Sequence, residues 1–142
     1  MRITTRGRYG MRAMVELARG HGGAPMMMRE ITERQQIPRK YLHSLLADLR
    51  DSDLVRSHRG SHGGYVLARE PSEITAKDVL VALEGKISLV DCDGLRPKCK
   101  MYPSCATRSL WADLTGLLDE HLKRVTLADL ANGGPPKADE PD

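Results

Sequence analysis

Residues 30–49 read EITERQQIPRKYLHSLLADL, and their pattern decides the fold. Leu42, Leu45, Leu46 and Leu49 recur at i, i+3, i+4 and i+7, which is one apolar stripe of a helix. Pro38 is placed in the first turn of that helix, where its missing N–H costs nothing. A second short helix precedes it, running back through MMMREITERQ, and the two are separated by a break at Gln36-Ile37. Opposite the leucines stand Arg39, Lys40, His43 and Ser44, gathered at the N-terminal end. A helix anchored by leucines on one side, with donors at its start, suits the second helix of a helix-turn-helix. In that motif the helix start meets base edges and its dipole faces phosphate. Any amphipathic helix with a polar outer face has the same pattern, so the flanking segments must decide.

The next segment, LVRSHRGSHGGYVLAR (residues 54–69), points to DNA. Leu54–Arg59 and Tyr65–Arg69 are strand-like runs, and Gly60, Gly63 and Gly64 make the connection a tight turn, so the segment reads as a hairpin. Arg56, His58, Arg59, His62 and Arg69 decorate it. A basic hairpin directly after a recognition helix is a wing. Arg59, near its tip, is placed to enter a minor groove, whose negative potential attracts arginine.

Upstream, TTRGRYGMRAMVELARG (residues 4–20) spaces Met11, Met14, Val15 and Ala18 as another helical stripe. This is a core-packing face rather than a cofactor box. Charge agrees with a polyanion-binding N-terminal half. Residues 1–70 hold 13 basic and 7 acidic side chains, and 12 of the 13 are arginine; residues 71–142 hold 9 basic and 12 acidic. A solvated surface with a chance asymmetry would give the same counts. A chain of 142 residues suffices for a domain that holds its core without staples. The start, MRITTRGRYG, lacks a secretory apolar region, and no apolar run reaches the roughly 18 residues of a membrane span. A cytoplasmic location and reduced thiols are expected.

After a boundary at Pro71-Ser72, Thr75 is placed to cap a helix whose apolar face uses Val79, Leu80 and Leu83 and which Gly85 ends. Then comes DCDGLRPKCKMYPSC (residues 91–105), with Cys92, Cys99 and Cys105, all the cysteines of the chain. An odd number argues against a disulfide framework. Thiolates bind soft metals and iron–sulfur clusters, and a long loop without periodicity needs something to order it. The spacing C-x6-C-x5-C lacks the close pair usual in structural zinc sites. A nucleophilic cysteine would need a base, and the loop offers none. Free buried thiols remain an alternative. The segment TRSLWADLTGLLDEHLKRV (residues 107–125) then lays Leu110, Trp111, Leu114, Leu117, Leu118, Leu122 and Val125 on one wide face, more than a small winged helix covers. A second copy would bury it; packing back on its own domain is the alternative. Thr126 is placed to cap a last short helix, and the tail NGGPPKADEPD has a disordered composition.

Together GRYGMRAM, EITERQQIPRKYL, the hairpin segment, three cysteines before a helix opening SLW, and VTLADL resemble the Rrf2 family of bacterial winged-helix transcription regulators, from Met1 to about Leu130. The expected fold is mainly α with a small β-hairpin. It comprises a winged helix-turn-helix over 1–85, a cysteine-bearing loop over 86–105, a dimerisation helix and short last helix over 106–131, and a tail over 132–142. The resemblance implies a homodimer binding a pseudo-palindromic operator in double-stranded DNA, acting as a repressor and not as an enzyme. In that reading Arg39, Lys40, His43 and Ser44 serve the major groove, Tyr41 touches phosphate, and Arg59 and His62 belong to the wing.

The resemblance also implies an iron–sulfur cluster on Cys92, Cys99 and Cys105, as several relatives hold; others hold none and are controlled by a partner enzyme, and the alternative for this chain is a cluster-free regulator controlled by thiol oxidation or a partner enzyme. Some relatives supply a histidine three residues after the last cysteine, where this chain has Arg108. Others use a first-helix carboxylate or histidine of the partner subunit, where this chain has Arg8 and Arg12. The fourth ligand is therefore open among Asp91, Asp93, a partner Glu16, a small molecule or none. An exchangeable fourth position suits a sensor of oxygen or nitric oxide.

Overall fold

The computed structural model describes residues 2–60, 63–93 and 99–135. Helix α1 spans Thr5–Arg19, α2 Met28–Gln35 and α3 Arg39–Asp51; strands β1 Val55–His58 and β2 Gly64–Leu67 follow, then α4 Ala76–Glu84, α5 Arg108–Arg124 and α6 Leu127–Ala131. The strands pair antiparallel, with Val55 opposite Leu67 and His58 opposite Gly64. This is the mainly helical winged helix-turn-helix expected from the sequence.

The leucine stripe of α3 is the centre of the core. Leu42, Leu45, Leu46 and Leu49 are all fully buried, among Met14, Ile31, Ile37, Val55, Ile74 and Val79. Burying each contributes about 1.5–3 kcal/mol of transfer free energy. Helix α2 ends at Gln35, and the next residue, Gln36, sits in the left-handed region (φ 53°), so the chain reverses there with a non-glycine residue. Helix α3 begins one residue later than expected. Pro38 flanks it with extended backbone (φ −55°, ψ 132°), and its carbonyl accepts from the Leu42 N–H at 2.9 Å.

The stripe of α1 is rotated from the expected one. Met14 and Ala18 are buried, but Met11 and Val15 are only half-buried, and Gly7, Gly10, Ala13 and Leu17 complete the buried face. The cause is close packing against α4. A Cβ on Gly7 would lie 2.6 Å from Glu84 Oε1, and one on Gly10 would overlap the Leu83 side chain. Glu84 in turn accepts from the Thr4 N–H (2.8 Å) and hydroxyl at the start of α1.

The wing is shorter than expected, and Gly64 lies in a strand rather than in the turn. Met26 bridges to Tyr65 beside the hairpin, and a Cβ on Gly64 would come within 2.5 Å of the Met26 carbonyl oxygen. Helix α4 starts with a reciprocal cap, Asp78 N–H to Thr75 Oγ1 and Thr75 N–H to Asp78 Oδ2. The same device recurs at Thr126 and Asp129 before α6. After α5 the chain returns to the N-terminal core. Thr75 and Thr126 form a bridge, the Ala76 N–H donates to Val125 O at 2.8 Å, and Leu127 is fully buried. Helix α5 differs from all of these: not one of its 17 residues is buried. Of the tail read as disordered, residues 136–142 lie outside the described residues. Among the described residues no helix is long and apolar enough to cross a membrane.

Candidate nucleic-acid interface and cysteine segment

Because the leucines of α3 point into the core, helical geometry sends Arg39, Lys40, His43 and Ser44 outward, and all four are exposed. Arg39 lines a groove with His58 and Gly60 of the wing and with Arg29 of α2. Arg56 and Arg59 are also exposed. His62 lies outside the described residues. The fold therefore brings the start of α3 and the wing to one basic groove, a shape and charge that suit a polyanion. Arg29 was not singled out by sequence reasoning. The only available signal was an arginine in the first turn of a helix that also carries Glu30 and Glu33.

Two of the expected site residues have intramolecular partners. The Ser44 hydroxyl accepts from Arg6 Nη1 at 3.4 Å, while Arg6 also pairs with Asp48 of α3 and donates from Nε to Leu83 O at 3.2 Å. Tyr41 is half-buried, its ring edge-on to Tyr9 of α1 with centroids 5.7 Å apart and planes at 79°. Arg12 lies over the other partner of that pair, 5.3 Å from the Tyr9 centroid.

The cysteine segment is not wholly irregular. Short 3-10 turns span Asp91–Asp93 and Tyr102–Ser104. Cys92 and Cys105 are half-buried and Cys99 is exposed. Cys105 sits just before α5, its Sγ 3.3 Å from Thr107 Oγ1. Hydrogen bonding from Thr107, first from its side chain and then from its backbone, holds the Cys105 thiol below its ordinary pKa, with a smaller contribution from the Arg108 charge. This favours the thiolate, the form that binds metals and reacts with oxidants. Arg108 is tied back, donating to Tyr102 O at 2.9 Å with its guanidinium 4.5 Å from the Tyr102 ring centroid.

Three thiols are a donor set suited to iron–sulfur chemistry. Their positions are less suited to it: among the described residues no three His, Cys, Asp or Glu side chains converge on one point. Glu16, one of the candidate fourth ligands, is committed within its own chain. It is 5% exposed and faces Gln35 Nε2 (2.6 Å), Arg19 Nη1 (3.2 Å) and Arg34 Nη1 (3.6 Å). Asp91 is exposed beside Cys92.

A helix-turn-helix with a basic hairpin, a cysteine-bearing segment and an uncovered C-terminal helix define a class, the winged-helix regulators. Comparison with known proteins narrows it. The model of the Rrf2 family, described as an iron-dependent transcriptional regulator, matches residues 3–133. The chain is 41% identical over 133 residues to the HTH-type transcriptional regulator CymR of Bacillus subtilis, covering 93% of this chain and 91% of that one. It is 38% identical over 132 residues to the HTH-type transcriptional regulator IscR of Sodalis glossinidius, covering 93% and 79%. Among solved structures it is similar to CymR, the global cysteine regulator of B. subtilis, with a TM-score of 0.80, 39% identity and coverage of 93% and 97%. It is also similar to T. potens IscR, with a TM-score of 0.76, 36% identity and coverage of 93% and 87%. The chain belongs to the Rrf2 family of transcriptional regulators.

Proposed function

We propose that this protein is a cytoplasmic, homodimeric, sequence-specific DNA-binding repressor whose operator is pseudo-palindromic and whose binding is switched at Cys92, Cys99 and Cys105. The observation that carries the DNA reading is the shared basic groove of Arg29, Arg39 and the wing, in front of a recognition helix locked by four fully buried leucines. Arg39, Lys40, His43 and Ser44 address the major groove, Tyr41 the phosphate flank, and Arg59 and His62 the wing contacts. The dimer reading rests on α5, where Leu110, Leu114 and Leu117 are 49%, 39% and 68% exposed in one chain. A two-fold partner would cover them.

For the switch, the leading reading is an iron–sulfur cluster held by the three cysteines. It is supported by the donor chemistry and by the iron-dependent description of the family. When bound, the group would supply a redox- and ligand-sensitive centre next to the start of α5. A second reading leaves the thiols unmetallated and oxidisable. It is favoured by the thiolate-promoting contact of Cys105 with Thr107 and by the lack of a converging donor group among the described residues.

One experiment tests both. Protein purified without air is assayed for iron and acid-labile sulfide, and operator affinity is measured before and after oxidation, beside a variant with all three cysteines changed to serine. Iron with sulfide, and regulation lost in the variant, is the expected result. No iron but oxidation-sensitive binding favours the thiol reading. Binding that is insensitive in both proteins overturns the cysteine switch and leaves the DNA reading standing.

A further inference from the structure

Glu16 is the sole buried charged side chain among the described residues. Such a charge is costly to bury unless it is paired and hydrogen-bonded. Here it is both, and its partners cluster at one place. Gln35, the last residue of α2, donates its side-chain amide to Glu16 Oε1 at 2.6 Å and accepts at its own Oε1 from Arg12 Nε at 3.0 Å. Arg12 also donates from Nη2 to the Gln35 carbonyl, one of the carbonyls a helix end leaves without an intrahelical partner. Arg34 adds a second cation from α2, and Arg19 a third from α1.

The residue that follows this clamp is Gln36, held in the left-handed region at φ 53°. A non-glycine residue persists there when its surroundings over-determine it. Across the turn, the first full turn of α3 is gripped by the same face of α1, through the edge-on packing of Tyr9 and Tyr41, with Arg12 over Tyr9. Helix α1 thus holds the chain on both sides of the turn, at Gln35 before it and Tyr41 after it.

We propose that Glu16 and Arg12 are positioning residues that fix the angle of the recognition helix through Gln35, and so set the discrimination between operator and bulk DNA rather than overall attraction to DNA. The inference rests on the DNA-binding reading above. Phosphate attraction depends on the number of cations and tolerates small changes of helix angle; base-edge contacts do not.

The test uses the full-length protein, a duplex enriched by the wild-type protein from a random pool, and a scrambled duplex of equal length. Glu16→Gln keeps the shape and removes the charge; Arg12→Ala opens the clamp from its exposed side. Both are expected to keep wild-type helix content, to lose affinity for the enriched duplex on the order of tenfold, and to bind the scrambled duplex within about twofold of wild type. Gln36→Gly added to Glu16→Gln should recover part of the lost discrimination, because glycine adopts the left-handed turn without help. Equal loss on both duplexes, or loss of thermal stability with discrimination intact, overturns the positioning role. Should Glu16→Gln not fold, Arg12→Ala carries the same test alone. A wild-type protein that enriches no duplex would instead count against the DNA-binding reading itself.

Discussion

Helices α3 and α5 carry nearly the same apolar spacing and meet opposite fates. In α3, Leu42, Leu45, Leu46 and Leu49 are fully buried by the chain's own α1, α2 and α4. In α5, Leu110, Leu114 and Leu117 face solvent, Trp111, Leu118 and Leu122 are half-buried, and Asp119 pairs with Lys77 of α4 at 2.5 Å and, within the helix, with Lys123 at 2.7 Å. Periodicity reports that a helix has a face to bury. It does not report which chain buries it. The first stripe builds the core; the second leaves Leu110, Leu114 and Leu117 exposed in one chain.

The comparison breaks most visibly at the core. Leu46→Ala should destabilise the fold by about 2–5 kcal/mol, read from urea unfolding, whereas Leu117→Ala in the isolated chain should have little effect on monomer stability. A similar cost at both positions would mean that α5 is packed internally after all. Next in size, Leu114→Asp combined with Leu117→Asp should convert a dimer to a monomer in sedimentation, with helix content retained and operator affinity sharply reduced. An unchanged mass would remove α5 from the dimer contact. Arg59→Ala in the wing should weaken operator binding by about 1–3 kcal/mol; unchanged affinity and salt dependence would remove it from the interface.

Smaller effects sharpen the polar side of α5. Hydrogen bonds from Lys123 and then Lys77 hold the Asp119 carboxyl below its ordinary pKa. A depressed folded-state pKa gives stability that is present above the unfolded carboxylate value and is lost as pH falls through the folded one. Asp119→Asn should therefore flatten the acid side of the stability profile slightly, since the pair is solvent-screened. At the start of α5, Thr107→Val should raise the Cys105 pKa toward its ordinary value and shift its alkylation profile to higher pH.

Much of the N-terminal half was legible because local rules and tertiary packing agree there. The leucine spacing, the break at Gln36, the glycine-rich hairpin and the Thr75 cap all appear in the structure where local chemistry puts them. Other features depend on distant neighbours. Gly7 and Gly10 are the positions where α4 closes on α1, and this turns the α1 stripe away from Met11 and Val15. Glu16, a candidate fourth ligand in the sequence, is held within its own chain by Arg34 and Gln35, which only the fold brings against it. The return of Leu127 to the core needs a bridge between Thr75 and Thr126, 51 positions apart. The cysteine segment was legible in its chemistry but not in its geometry, because the spacing of thiols along a loop does not place them in space.

The most direct test of the account is enrichment of double-stranded DNA from a random pool by the purified full-length protein, followed by footprinting on the enriched sequence. The account predicts a pseudo-palindromic site bound by two protomers, with protection of both half-sites and loss of one contact per half-site in Arg59→Ala. Recovery of no common sequence, or a single unrepeated site bound by one protomer, would contradict it.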